Sequence, residues 1–379
     1  MVTRSTKPFI KPIYITRPIF PDLKEFTKEL ELVWRSKWLS NNGPKHQQFE
    51  KKIGRYLKVP YISLFNNGTT ALLVAIKSLE LSGEVITTPF TFPATPHCLT
   101  WNNLTPVFCD IDDVTMNINL DKIESLITKN TTAILAVHVF GTPCDVVGIQ
   151  QIADKYNLKV IYDAAHAFGV EINNKPIGNF GDVSVFSFHP TKLFHSGEGG
   201  ALAYKKKALK EQIDALKNFG IKNEEEVISC GINGKMNELQ SILGLIVLKY
   251  IDKEIKKRKL LYRTYLQQLK GIKGITPMKH QANIKNSFQY FVIRVDKNQF
   301  GRSRDYVCEQ FKKYNIYTRK YFYPLCSEYP HYKNLTSSRR SNLPVAHEVV
   351  EEVLSMPFYG GISVQDVENI CNILKSFKK

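Results

Sequence analysis

The stretch SFHPTKLFHSGEGGA, Ser187 to Ala201, places one lysine between two segments that read as buried strands. Ahead of it, Asp182-Val-Ser-Val-Phe-Ser-Phe188 alternates as a strand does, and behind a glycine cluster runs Ala201-Leu-Ala-Tyr204. Lysines are ordinarily solvated. Lys192 instead lies between core elements, with Ser187 upstream and Gly197, Gly199 and Gly200 downstream, and a lysine held there calls for a chemical reason.

The surroundings set the fold class. From about residue 46 to 205, segments of helical period alternate with short apolar runs. Gln47 to Leu57, Thr70 to Glu80 and Val146 to Tyr156 read as helices. Tyr61 to Phe65, Glu84 to Thr87, Thr105 to Cys109, Ala133 to Val137 and Lys159 to Tyr162 read as strands. This rhythm predicts an α/β domain on a mostly parallel sheet, with functional residues at strand ends and in the loops leaving them. Near Met236 the pattern changes to one or two long helices reaching about Leu269. Ser287 to Ile293 then reads as a strand and Arg304 to Tyr314 as a helix. The expected organisation is a large domain over residues 1–250 and a smaller α+β domain over 251–379.

Composition narrows the class further. In 379 residues the hydrophobic share is 43%, ordinary for a soluble globular protein. The apolar run within Ile242 to Leu248 is too short to span a bilayer, and the N-terminal stretch has prolines and basic residues but no apolar signal core. A cytoplasmic protein without membrane insertion is expected. Seven scattered cysteines, with no CxxC pair, argue against a disulfide framework and against a metal site. The net charge of +17 admits nucleic acid or an anionic substrate. The basic residues are spread along the chain, clusters such as Lys205-Lys-Lys207 and Lys253 to Lys259 read as solvated helix faces, and no nucleic-acid-binding motif accompanies them.

Three motifs carry chemistry. Asn66-Asn-Gly-Thr-Thr-Ala71 follows a strand and opens a helix, so backbone N–H groups, the helix dipole and the hydroxyls of Thr69 and Thr70 form an anion site; alone, it could equally be a capped helix after a turn. In Ile161-Tyr-Asp-Ala-Ala-His-Ala-Phe-Gly169, Asp163 ends an apolar strand, where a carboxylate needs a cationic partner unless it only caps a helix. His166 could be a core histidine. Phosphate cradle, strand-end acid and enclosed lysine, in that order, are what pyridoxal phosphate requires: the lysine forms a Schiff base, and the acid keeps the pyridine nitrogen protonated so that the ring acts as an electron sink.

In wording and order these motifs resemble the DegT/DnrJ/EryC1/StrS family of nucleotide-sugar aminotransferases, which have the aspartate-aminotransferase (type I) fold. The likeness runs from Lys37-Trp-Leu-Ser-Asn-Asn-Gly43 to Leu354-Ser-Met-Pro357. It implies Lys192 as the Schiff-base residue, Gly68, Thr69, Thr70 and Ser187 as phosphate ligands, and Asp163 at the ring nitrogen. His166 stands where family members often have glutamine, near the cofactor's 3-oxygen, and Phe92 takes the place of the aromatic that stacks on the ring. Gly231-Ile-Asn-Gly-Lys-Met-Asn-Glu238 resembles a segment whose asparagine, here Asn233, reaches the cofactor phosphate of a neighbouring subunit, implying a homodimer with shared active sites. Lys235 replaces the usual arginine there, and the two are not interchangeable at bidentate contacts. Arg319-Lys-Tyr-Phe-Tyr-Pro324 resembles a loop of the sugar-nucleotide site, which assigns Tyr321 and Tyr323 to substrate.

The resemblance implies transfer of an amino group from an amino acid, glutamate being the expected donor, to a dTDP-keto-6-deoxyhexose for surface polysaccharide (O-antigen) biosynthesis. The wording of the motifs is most like members that aminate C4 of dTDP-4-keto-6-deoxyglucose; C3 amination of a 3-keto isomer is the alternative. A dehydratase of the same family would have histidine in place of Lys192, and a purely regulatory protein on this fold would need none of Lys192, Asp163 and Ser187.

Overall fold

A computed structural model describes residues 7–279 and 281–379. Thirteen strands follow in chain order: β1 (Tyr61–Phe65), β2 (Glu84–Thr87), β3 (Thr105–Phe108), β4 (Thr131–Val137), β5 (Lys159–Asp163), β6 (Glu171–Ile172), β7 (Lys175–Pro176), β8 (Val183–Ser187), β9 (Gly200–Tyr204), β10 (Ile275–Pro277), β11 (Ile284–Lys285), β12 (Phe291–Val295) and β13 (Val353–Met356). Seven of them form one sheet in the order β1-β9-β8-β5-β4-β2-β3. Strands β2, β3, β4, β5 and β8 pair in parallel, and β9 alone runs against its neighbours β1 and β8. The α/β fold with a mostly parallel sheet is therefore as the alternating pattern predicts.

These strands form where short apolar runs meet turn residues. In β4, Thr-Thr-Ala-Ile-Leu-Ala-Val is buried at nearly every position, as expected of a strand covered by helices on both faces. Two helices that follow strands of the sheet start at side-chain caps. Asn67 accepts from the Thr70 N–H at 2.7 Å and opens Gly68–Ser78, and Asp145 accepts from the Gly148 N–H at 2.9 Å and opens Val146–Tyr156. Such caps commonly contribute about 1 kcal/mol each. They fix the angle at which a helix leaves the strand before it, and so where the strand-end residues point.

A second, antiparallel sheet, β10-β12-β13, packs against the helices Ile251–Leu269, Arg304–Lys313 and Val364–Ser376 around the buried Tyr265, Phe291, Phe311 and Leu374. The expected long helical region past Met236 is two helices, Glu238–Leu248 and Ile251–Leu269. The N-terminal segment runs along the C-terminal part: the Ile13 N–H donates to the Asn315 carbonyl at 2.8 Å, and the Phe358 N–H to the Ile15 carbonyl at 2.9 Å.

Two expectations need correction. The strand read at Ser287 to Ile293 begins only at Phe291, because Phe288 takes a left-handed backbone (φ 56°) and the carbonyls of Phe288 and Gln289 are claimed by the Arg258 guanidinium. That same Arg258 corrects the reading of Lys253 to Lys259 as a solvated face, since it is 1% exposed and paired with Glu254 at 2.7 Å. Among the described residues no helix is long and apolar enough to cross a membrane.

Candidate active site

The carboxyl ends of β1, β4, β5 and β8 open onto one cavity of about 480 Å³. Six parallel-running strands (β1, β2, β3, β4, β5 and β8) end on the same side of the sheet, which is where ligands sit in open α/β sheets. Gly68, Thr69, Thr70, Phe92, Asp163, His166, Ser187, Lys192 and Tyr321 all line this cavity. Asn233 and Tyr323 do not.

At the end of β1 the chain turns through Asn66 and Asn67 into the helix Gly68–Ser78. Asn67 takes the Thr70 amide and hydroxyl, so the amides of Gly68 and Thr69, at the first two helical positions, have no acceptor within the helix. A Cβ on Gly68 would lie 2.9 Å from the Ser187 Cβ and 3.1 Å from its hydroxyl. Glycine thus brings a helix N-terminus and a serine hydroxyl together into one small cradle. Gly200 explains the glycine cluster: a Cβ there would lie 2.6 Å from the Asn67 carbonyl oxygen, so β9 could not close against the turn.

Asp163, the last residue of β5, is buried. Its Oδ1 accepts from the Ala165 N–H at 3.0 Å and its Oδ2 from the Thr95 hydroxyl at 2.9 Å, with Thr91 backing Thr95 at 2.8 Å. Burial raises this carboxyl above its ordinary value, while the Ala165 and Thr95 hydrogen bonds and the Lys192 charge pull the other way. The carboxylate is oriented and desolvated, and a cation placed against it would meet little competition from water.

Lys192 follows β8 in a turn, its N–H donating to the His189 carbonyl at 2.9 Å, and its side chain reaches the cavity. Burial, helped by the Arg319 charge, lowers the amine below its ordinary value against the opposing pull of Tyr321 and Asp163. More of it is therefore unprotonated, and nucleophilic, than of a surface lysine. His166 is 5% exposed; burial first, then the Lys192 charge, pushes its imidazole well below the ordinary value, so it is neutral. Its ring stacks on Phe322 (5.9 Å, 2°) and meets Tyr290 edge-on at 5.0 Å, and its Nδ1 is buried without a partner. Phe92 lies on the cavity wall, 51% exposed, and presents an aromatic side chain there.

Sequence patterning gives no sign of two residues that shape the site, one behind the wall and one on it. Thr95 aims the Asp163 carboxylate across 68 positions of chain; it ends the run Thr87-Thr-Pro-Phe-Thr-Phe-Pro-Ala-Thr95 that holds Phe92, and nothing in the spacing distinguishes it from its neighbours. Arg319 brings a guanidinium to the cavity, its backbone tied to Ser355 of β13 by bonds of 3.1 and 2.8 Å. Tyr323 turns away, 49% exposed, its ring 5.3 Å from both the Arg304 guanidinium and the Lys320 ammonium. Asn233 is exposed, and its carbonyl accepts from the Asn66 side chain at 3.5 Å.

Known proteins match the chain over nearly its whole length. The dTDP-4-amino-4,6-dideoxy-D-glucose transaminase of Escherichia coli is 46% identical over 96% of this chain and 98% of its own. The dTDP-3-amino-3,6-dideoxy-alpha-D-galactopyranose transaminase of Aneurinibacillus thermoaerophilus is 32% identical over 93% and 95%. The crystal structure of DesI in the presence of its TDP-sugar product superposes with a TM-score of 0.93 at 33% identity, covering 98% of this chain and 94% of that one. Residues 22–375 match one family throughout, and the chain belongs to it: the DegT/DnrJ/EryC1/StrS aminotransferase family.

Proposed function

We propose that this protein is a pyridoxal-phosphate-dependent transaminase that moves the amino group of L-glutamate to C4 of dTDP-4-keto-6-deoxyglucose, giving dTDP-4-amino-4,6-dideoxyglucose for surface polysaccharide (O-antigen) biosynthesis. The observation that carries the reading is the convergence of an enclosed amine, a desolvated carboxylate and an anion cradle on one cavity. The greater identity to the C4 transaminase, 46% against 32% for the C3 enzyme, favours C4.

The residues present fit the cofactor. The unpartnered Nδ1 of His166, the Gly68–Ser187 cradle that a Cβ would fill and the aromatic side chain of Phe92 each match one of its groups. When bound, pyridoxal phosphate supplies an electron sink that stabilises negative charge at the carbon from which a proton is removed. The chain's own residues do the rest. The Gly68 and Thr69 amides and the Thr69 and Ser187 hydroxyls would hold the phosphate, and Thr70 would join them by turning its hydroxyl from Asn67 to the phosphate. Asp163 would hold a proton on the ring nitrogen, His166 would meet the 3-oxygen as a neutral group, and Phe92 would cover one ring face. Lys192 would anchor the cofactor and, once released, carry the proton between the donor's α-carbon and C4′. Tyr321 would face the sugar. Tyr323 would join it only if the loop turned its ring inward.

The active enzyme would be a homodimer in which Asn233 serves the neighbour's phosphate. In support, Asn233 is exposed and off its own chain's cavity, and Phe219, Ile221, Val227, Ile228, Ile232 and Leu239 around it are exposed apolar residues, a surface expected to be covered. We also take residues 1–250 and 251–379 as two domains, the first holding the seven-stranded sheet and the second the β10-β12-β13 sheet, with the short sheet β11-β6-β7 joining them.

The test is incubation with L-glutamate and each dTDP-keto-sugar separately, locating the new amine by NMR. Amination at C4 is expected. Amination only at C3 would overturn the position, and failure with both sugars alongside efficient use of a free keto acid would overturn the substrate class.

A further inference from the structure

The peptides on either side of Lys192 are both held by one side chain. Gln289 is buried (4% exposed). Its Oε1 accepts from the Leu193 N–H at 2.5 Å and its Nε2 donates to the Thr191 carbonyl at 3.2 Å. The carboxamide therefore brackets Lys192 on both sides, across 96 and 98 positions of chain. A carboxamide has both a donor and an acceptor, and here each is used.

Gln289 is itself held in an unusual place. It follows Phe288, whose left-handed backbone is uncommon for a bulky residue and has to be paid for by its surroundings. The Arg258 guanidinium supplies part of that: Nη1 donates to the Phe288 carbonyl at 3.4 Å and to the Gln289 carbonyl at 3.2 Å. Arg258 is fully buried and leans on Glu254 at 2.7 Å, and Glu254 in turn accepts from the Gly360 N–H at 2.7 Å. A Cβ on Gly360 would come within 2.1 Å of the Glu254 carboxylate, so glycine is needed there. Burying an ion pair is costly unless its lone pairs and protons are satisfied, and this pair spends its hydrogen bonds on backbone at the site's edge. The next residue, Tyr290, is on the cavity wall.

We propose that Gln289 is a positioning residue for Lys192, and that the Gly360–Glu254–Arg258 relay fixes Gln289, so that the C-terminal part of the chain sets where the amine sits at the end of the seven-stranded sheet. The inference rests on the reading of Lys192 as the cofactor-bearing residue. Neither Gln289 nor Arg258 touches cofactor or substrate in this scheme. Their effect is on the position of Lys192, and a misplacement of about 1 Å can cost on the order of 100-fold in rate.

The test compares wild type with Gln289→Leu, Gln289→Glu and Arg258→Met, all as full chains. Hydrogen exchange in the cofactor-free protein reads the grip directly. The Leu193 amide should exchange much faster in Gln289→Leu and stay protected in Gln289→Glu, which keeps an acceptor. In the loaded enzyme, single-turnover loss of the yellow colour with saturating glutamate should slow about 100-fold in Gln289→Leu and less in Gln289→Glu. Affinity of the cofactor-free protein for pyridoxamine phosphate, which forms no bond to lysine, should stay within about twofold of wild type by the same argument. Arg258→Met should follow Gln289→Leu in both readouts although it reaches neither peptide. An unchanged Leu193 amide and a wild-type single-turnover rate in Gln289→Leu would overturn the proposal. So would a loss of rate matched by an equal loss of pyridoxamine phosphate affinity, which would mark a general loosening of the site. If borohydride trapped the cofactor on a lysine other than Lys192 in wild type, the underlying reading would fail, and that result is independent of the Gln289 measurements.

Discussion

The two walls of the cavity are built on different principles. The wall made by the ends of β1, β5 and β8 is polar, and each of its groups makes a hydrogen bond with a neighbour in sequence, to which Thr95 and Gln289 add long-range holds on Asp163 and on the peptides flanking Lys192. Asn67 caps Thr70 at three residues' distance, Asp163 takes the Ala165 amide at two, and Lys192 folds back on His189. The facing wall is aromatic and long-range. Tyr290, Tyr321 and Phe322 come from the C-terminal part: Phe322 stacks on His166 and Phe140, Tyr290 meets both edge-on, Tyr321 packs edge-on against Tyr290, and Arg319 hangs from β13. Local bonds write themselves as contiguous motifs, whereas long-range ones leave no pattern in the chain. The polar wall holds the groups suited to chemistry; the aromatic wall has the shape and charge to select what is bound.

Mutations should separate the walls by which kinetic constant they move. The largest effect belongs to Asp163→Asn. It keeps size but removes the negative charge, and kcat should fall by about 3–4 kcal/mol of lost transition-state stabilisation, with cofactor still bound, as measured by steady-state kinetics and absorbance. Turnover near wild type would remove the distinction between the walls. The same variant should stabilise the cofactor-free protein at neutral pH. Burial raises the folded-state carboxyl above its unfolded value, so ionisation above that unfolded value costs folding free energy, and asparagine removes the cost. The gain in melting temperature should vanish at acid pH, where both states are protonated; a cofactor-free Asp163→Asn that melts below wild type at neutral pH would contradict this.

Arg319→Met tests the other wall. Losing a guanidinium that meets an anionic substrate should weaken binding by about 1.5–3 kcal/mol, seen as a raised KM with kcat little changed. A fall in kcat at constant KM would move Arg319 to the chemical side. Thr95→Val, which withdraws one hydrogen bond from the Asp163 carboxylate, should cost about 1–2 kcal/mol and, because Thr95 acts through Asp163 behind the polar wall, should show it in kcat rather than KM. The smallest effect is expected at the tyrosines. Tyr321→Phe should alter sugar-nucleotide KM by about 1 kcal/mol or less, and Tyr323→Phe, whose ring faces Arg304 and Lys320, should leave both constants alone. Equal effects at the two positions would show that the loop turns Tyr323 inward during turnover.

What was legible in the chain follows the same division. Strands β1 and β2 fall where the apolar runs predicted them, because each is a short buried segment bounded by turn residues. Gly68, Asp163, Ser187 and Lys192 stood out because each lies in a motif with its own local reason. Thr95, Gln289 and Arg319 did not, since their partners lie far along the chain and a threonine or glutamine offers no periodic signal. The strand expected from Ser287 begins late because Phe288 is left-handed, a conformation that apolar patterning does not reveal. In the basic cluster Lys253 to Lys259 the pattern hid a buried Arg258, since charge counts do not distinguish a side chain that turns inward.

The central claim is that the amine at the end of β8 carries the cofactor. Borohydride reduction of the yellow enzyme, followed by peptide mapping, tests it most directly. The account predicts a single adduct, on Lys192, lost together with the colour when Lys192→Ala is examined; an adduct on any other lysine, or an undiminished adduct in Lys192→Ala, would contradict it.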